Sequence, residues 1–456
     1  MHTYSLNFLY IALGILALVL LLANLYWGTF LLLLTQPLFI SVASEHAGFG
    51  VTKVIYGVLF AIWFVAWALK PVARDTTRPQ LRSSMRLPAL AFGAVLGVAI
   101  LMGLLYGAPL DYIVRDLSQY VGYLAVLPLL DLVRTRKQAK RLIFFLALVG
   151  LPCSLLYDVA AIGLKQEGIL SPTLMALQYG APYWGPIQGA LWAVAVSFPG
   201  LAVKLLAWLW LILKSSLSVF SGFRYMLLMF IISALTAFMV SGRIARHSLA
   251  RYMIPLFLAL MVGGVLADLS GMVNLPLTDV TRERYSTLLS EKGLARDQSV
   301  EGRFMESRGL FGAFLQNPVT GVGLGYTLKF IWFGRAVEGK GNFRYHNGYL
   351  ETLMKFGVLG TLIFAWYFFT LFRQAFEVVR TSDNYFAKVI GLGLVIYLVP
   401  ALAASLAGSF FSEKGFSLTV GVMAGLLPAL TFQAEEARVP QPEPAVLNTG
   451  KLGQQV

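Results

Sequence analysis

RYHNGYLETLMKFGVLGTLIFAWYFFTLF, Arg344–Phe372, sets an arginine, a histidine and an asparagine directly before an apolar run. A helix over 349–372 would be about 36 Å long at roughly 1.5 Å per residue, enough to cross a bilayer core of about 30 Å. The same pattern recurs along the chain. Of 456 residues, 58% are hydrophobic and only 13% charged, where a soluble domain averages about 25% charged. The mean hydropathy is +0.72. A soluble reading would require a dozen apolar helices buried at once, so composition points to a polytopic α-helical membrane protein. The single Cys153 excludes an intramolecular disulfide and a thiolate metal cluster. The first apolar run has no basic flank and further spans follow it, so no cleavable signal peptide is expected.

Apolar spans are expected at about 5–23, 25–43, 51–69, 87–106, 112–131, 142–161, 187–199, 200–220, 225–241, 252–269, 349–372, 387–407 and 415–432, which makes 12 or 13 transmembrane helices. The fold class is therefore an all-α polytopic integral membrane protein with one large extracytoplasmic loop. Four parts follow: a transmembrane bundle over 1–269, a loop domain over 270–345, further transmembrane helices over 346–432, and a Pro-, Glu- and Gln-rich tail over 433–456 that reads as disordered and cytoplasmic.

Charge gives the orientation. Four short loops, at 70–86, 131–141, 241–251 and 373–388, hold sixteen Lys and Arg, whereas the short loops between them, at 107–111, 161–186 and 408–414, hold only Lys165 and Lys414. The positive-inside rule puts the four basic loops in the cytoplasm and the 270–345 insert outside. The net charge of +14 is then mostly topology, and nucleic acid is not an expected partner. No Lys or Arg occurs in the first 52 residues, so the rule is silent on the N-terminus.

The insert carries ten basic and seven acidic residues, and most of them read as a solvated surface. Its punctuation says more. An amphipathic helix is expected from about Val300 to Gln316, with Phe304, Arg308, Phe311 and Leu315 on one face, stopped by Asn317-Pro318. TGVGLGY, Thr320–Tyr326, follows with three glycines. It succeeds no predicted strand and opens no βαβ unit, so a nucleotide loop is rejected.

The succession of Arg303, NPVTGVGLG (Asn317–Gly325) and HNGYLETLMKFGVLG (His346–Gly360) resembles the O-antigen ligase and polymerase superfamily. The resemblance is strongest over about 200–375. It implies a GT-C-like membrane glycosyltransferase, multi-pass in the bacterial inner membrane with its site facing the periplasm. Such an enzyme moves a glycan from a polyprenyl-diphosphate carrier to an acceptor hydroxyl. The implied partners are the lipid-linked glycan, a glycan or lipid A–core acceptor, and membrane lipids. No cofactor and no metal are implied; no Asp-x-Asp pair, His-Glu-x-x-His or Walker loop occurs.

The family also carries an arginine at the outer end of an upstream span. SGFR (Ser221–Arg224) and SGR (Ser241–Arg243) both offer one, and span parity puts Arg224 outside and Arg243 inside. Arg224, Arg303, Arg308 and Arg344 are thus the candidates for holding the diphosphate, since guanidinium grips phosphate oxygens in a fork. His346 is the candidate general base, with hydrogen bonding to the diphosphate as its other reading. Asn347 is read as a helix cap or as an orienter of the His346 ring. Lys214 either adds positive charge to the site or snorkels outward. Asp111 and Arg115 read as an i, i+4 pair, with a role for Asp116 and its neighbours in an acceptor groove as the alternative. Gly357 and Gly360 read as helix-packing positions. A different class, a transporter or flippase of lipid-linked oligosaccharide, remains the alternative function. Against it stand few intramembrane charges and no inverted repeat in hydropathy.

Overall fold

The computed structural model describes residues 14–41, 51–69, 80–148, 150–151, 184–197, 200–220, 224–240, 255, 298–332, 335–338, 345–406 and 408–431. The expected span over 252–269, most of 142–161, the rest of the 270–345 insert with Arg344, Cys153 and the 433–456 tail lie outside these residues, as does the side chain of Arg224.

Helices occupy the expected stretches: Leu25–Ser41, Val51–Leu69, Gln80–Leu105, Trp184–Ser197, Leu201–Phe220, Arg224–Val240, Gly348–Thr381, Tyr385–Ala404 and Lys414–Thr431. Among the described residues, Ser84–Leu105, Gly348–Thr381 and Tyr385–Ala404 are long and apolar enough to cross a membrane; Gly14–Ala23, Gly57–Leu69, Leu228–Val240 and Gly415–Leu430 are apolar but shorter. Leu69 and Leu105 point large apolar side chains outward, at 78% and 79% exposure. Water would penalise such surface and lipid would not.

Two elements differ from expectation. The 112–131 span is not one helix but Leu110–Tyr120, a 3-10 stretch Val121–Ala125 and Val126–Leu132. At the 3-10 stretch Gly122 meets the backbone of the Lys414–Thr431 helix: a Cβ on Gly421 would lie 2.2 Å from the Gly122 carbonyl oxygen. Pro128 just beyond lacks the N–H that an uninterrupted helix would use there. The second difference is a small antiparallel hairpin in the insert, Lys329–Trp332 against Arg335–Glu338, with Phe330 opposite Val337 and Ile331 opposite Ala336. Among the described residues, the regular structure is helical apart from this hairpin.

The main core joins the Gln80–Leu105, Gly348–Thr381 and Lys414–Thr431 helices around Phe92, Tyr123, Phe364 and Phe368. Phe92 and Phe364 rings lie 4.9 Å apart, and Tyr123 meets Phe364 edge-on at 5.1 Å. The Tyr367 hydroxyl donates to the Tyr123 carbonyl at 3.0 Å, and the Tyr123 hydroxyl to the Phe411 carbonyl at 2.9 Å, so both phenols are satisfied in the interior. A second core packs Trp184–Ser197 on Tyr385–Ala404. At the end opposite the insert, Arg86 pairs with Asp131, which also accepts from the Trp67 indole. Arg136 donates to the Leu430 carbonyl at 3.1 Å, satisfying a last-turn oxygen. The basic loop residues therefore tie helix ends together as well as marking one face.

Candidate active site

The Gly348–Thr381 helix organises the site, and it is broken. At Gly357 the backbone leaves helical space, with φ 63° and ψ −172°. An intact helix would bond Val358 N–H to the Met354 carbonyl and Leu359 N–H to the Lys355 carbonyl. Here Val358 N–H donates to Pro318 O at 2.8 Å and Leu359 N–H to Val319 O at 3.3 Å. The abandoned carbonyls of Met354 and Lys355 accept from Val322 N–H at 2.8 Å and Gly323 N–H at 3.2 Å. The Asn317–Gly325 segment is thus spliced into the helix, and these four freed groups are satisfied.

The glycines make this approach possible. Gly321, Gly323 and Gly325 all have positive φ. A Cβ on Gly323 would lie 2.1 Å from Gly103 N, on the neighbouring Gln80–Leu105 helix. One on Gly357 would lie 2.2 Å from Val319 O. Packing accounts for Gly360, whose Cβ would press on Phe356 and Val95. Gly357 also serves close packing, but against the 318–323 loop and with a positive φ that breaks the helix. Leu324 N–H then donates to Ala99 O at 2.9 Å, and Gly325 N–H to Asp116 Oδ2 at 3.0 Å.

Asp116 opens a buried charged cluster that the sequence reading passed over. Lys355 Nζ lies 2.6 Å from Asp116 Oδ1 and 2.5 Å from Glu351 Oε1, all three side chains being almost fully buried. Ser412 Oγ donates to Glu351 Oε2 at 3.0 Å, and Lys355 Nζ stands 5.3 Å from the Tyr120 ring centroid. A signal was present: Glu351 and Lys355 are i, i+4 within an apolar span, where charges are expensive and so are paired. Asp116 joins them from the Leu110–Tyr120 helix, so the acceptor-groove reading of Asp116 gives way to a structural tie.

One turn above this cluster, the chain enters the long helix through Tyr345, His346 and Asn347. The Asn347 side chain accepts from Leu350 N–H at 3.1 Å and caps the helix. The residue against the His346 ring is instead Glu306, on the insert helix Gln298–Gln316. Glu306 Oε2 is 2.7 Å from His346 Nδ1, and Oε1 accepts the His346 backbone N–H at 3.1 Å. The Glu306 side chain is 1% exposed and the His346 side chain 41%. Tyr345 is buried beside them, its hydroxyl donating to Tyr326 O at 3.4 Å. Burial, reinforced by the Glu351 and Asp116 carboxylates, pushes its phenol far above the ordinary tyrosine range. Tyr345 stays protonated and forms a neutral wall.

The insert helix covers the expected residues, but its orientation is the reverse of an ordinary amphipathic helix. Gly302, Glu306, Leu310 and Ala313 face inward. Phe304, Phe311 and Leu315 face outward, with Arg303 and Arg308 exposed beside them. Leu310, Ala313, Val322, Leu328, Tyr345 and Met354 form a small separate core beneath. The pattern read correctly which residues share a face, and small inward residues allow that helix to sit close to the spliced loop. Lys214 is buried in the Leu201–Phe220 helix, which does not fit the snorkelling alternative. Arg224 begins the Arg224–Val240 helix. The structure thus brings Glu306, His346 and Asn347 together, with Arg303 one helical turn from Glu306. Among the described residues, no three His, Cys, Asp or Glu side chains are grouped to hold a metal ion.

A comparison with curated proteins finds no match to this chain. Residues 193–365 match the family model described as O-antigen ligase, and this stretch contains Arg224, the insert helix, the glycine loop and His346.

Proposed function

We propose that the protein is an inner-membrane glycosyltransferase, of O-antigen ligase or polymerase type, whose site faces the periplasm. Its donor is a glycan on a polyprenyl diphosphate and its acceptor a hydroxyl of a glycan or of lipid A–core. The observation that carries this reading is the His346 imidazole, half-exposed at the mouth of a membrane helix and held through Nδ1 at 2.7 Å by a buried carboxylate, inside the stretch matched to O-antigen ligase.

The acceptor O–H gives its proton to His346 Nε2 as its oxygen attacks the anomeric carbon. The bond from that carbon to the diphosphate oxygen breaks, and its electron pair leaves on the diphosphate. Arg303, one turn from Glu306, stabilises the growing charge, with Arg224, Arg308 and Arg344 assigned the same task from the sequence. The exposed Phe304, Phe311 and Leu315 beside Arg303 and Arg308 support this assignment. An apolar stripe next to guanidiniums suits an isoprenoid that ends in a diphosphate.

The test is a gel of surface glycans from a strain lacking the protein, complemented with wild type or His346→Ala. Core carrying a single repeat unit indicates a polymerase. Bare core with long chains accumulating on carrier lipid indicates a ligase. A wild-type ladder in the His346→Ala lane would remove His346 from the chemistry, and accumulation of donor on the cytoplasmic face would favour the flippase.

A further inference from the structure

We propose that Glu306 is a positioning residue for His346: it fixes the imidazole proton on Nδ1, turns Nε2 toward the acceptor, and stabilises the imidazolium formed during transfer. This rests on the reading of His346 as the base.

Three observations carry it. First, both Glu306 oxygens are engaged by one residue, Oε2 with the ring at 2.7 Å and Oε1 with the backbone N–H at 3.1 Å. The backbone bond sets where the ring is anchored, and the ring bond sets how it is turned. Second, the carboxylate is 1% exposed while the imidazole side chain is 41% exposed. The partner is hidden from solvent and the reacting group is not, which is the division of labour expected of an orienter and a base. Third, Glu306 sits on the inward face of its helix among Gly302, Leu310 and Ala313. A carboxylate there costs desolvation that apolar packing does not return, and its bonds to His346 offset that cost.

The chemistry follows from the tautomer. A carboxylate accepts and cannot donate, so neutral His346 must carry its proton on Nδ1 and its lone pair on Nε2. When Nε2 takes the acceptor proton, the positive charge forms against a fixed anion. Glutamine at 306 spoils both effects. It is neutral, and only one of its two ends can accept, whereas His346 presents two donors to it.

The experiment uses purified full-length protein in detergent with lipid-linked glycan donor and acceptor. It compares wild type, Glu306→Gln, Glu306→Asp, His346→Ala and the double variant His346→Ala/Glu306→Gln. For Glu306→Gln we expect kcat to fall by about 10²-fold or more, with the donor KM changed by less than about threefold and the melting temperature close to wild type. Glu306→Asp should recover part of kcat. The double variant should be no slower than His346→Ala, because the two act as a unit. Three outcomes overturn the proposal: Glu306→Gln retaining kcat within about threefold of wild type, losses that multiply in the double variant, or Glu306→Gln unfolding where His346→Ala folds. The last would make Glu306 a staple between helices. Full activity in His346→Ala would defeat the base assignment itself, and the orienting role with it, a result read independently of any Glu306 variant.

Discussion

Lys355 shows how a single residue can hold three segments. Its ammonium contacts Asp116 from the Leu110–Tyr120 helix and Glu351 from its own, and Asp116 in turn holds the Gly325 N–H. Removing one member of a buried ionic group leaves uncompensated charge, which costs about 3–5 kcal/mol. Lys355→Met should therefore lower thermal stability in detergent markedly, as measured by the temperature at which the protein loses its monodisperse peak in size exclusion. Asn347→Ala removes only a cap bond, and should cost about 1 kcal/mol in the same assay. His346→Ala should leave stability near wild type and depress transfer by about 10²-fold or more. His346 was legible because it stands in a recognisable motif. Glu306 was not, because it is one of seven acids in a loop of mixed charge and nothing in its local spacing marks it.

At the scale of elements, the splice between the glycine loop and the broken helix decides the geometry. Two helical bonds across Gly357 are exchanged for four bonds to residues 318–323. Alanine at 323 or 357 would bring both a positive φ, costing about 1–3 kcal/mol, and a Cβ about 2 Å from backbone atoms. Both variants should inactivate at clearly lower temperature than wild type, with transfer lost in parallel as the His346 mouth shifts. Gly312 is the control: a Cβ there meets nothing within 4 Å. Gly312→Ala on an exposed helix surface should be neutral or stabilising by up to about 1 kcal/mol. Three glycines after Asn-Pro announced tight turns. That the turns run into a membrane helix was not readable, because the partners of Pro318–Gly323 lie more than thirty residues away in sequence.

For the whole molecule, the orientation read from loop charge makes a separate prediction. In a Cys153→Ser background, cysteine placed at exposed Gly312 should react with a membrane-impermeant maleimide on intact spheroplasts. Cysteine at Arg136, in the 131–141 basic loop, should react only after permeabilisation. The reverse pattern would invert the topology and move His346 to the cytoplasmic side.

Hydropathy by itself determined where the long apolar helices of the described residues lie, 112–131 excepted, because a bilayer demands long apolar segments with internally satisfied backbones and leaves few alternatives. The motif with its histidine and arginines was equally local. Tertiary structure alone decided the break at Gly357, the Asp116–Lys355–Glu351 cluster, the outward turn of Phe304 and Phe311, and the pairing of Glu306 with His346. The physical reason is common to all four. A hydrogen bond, an ion pair or a buried face depends on which distant segment arrives opposite, and local periodicity carries no record of that arrival.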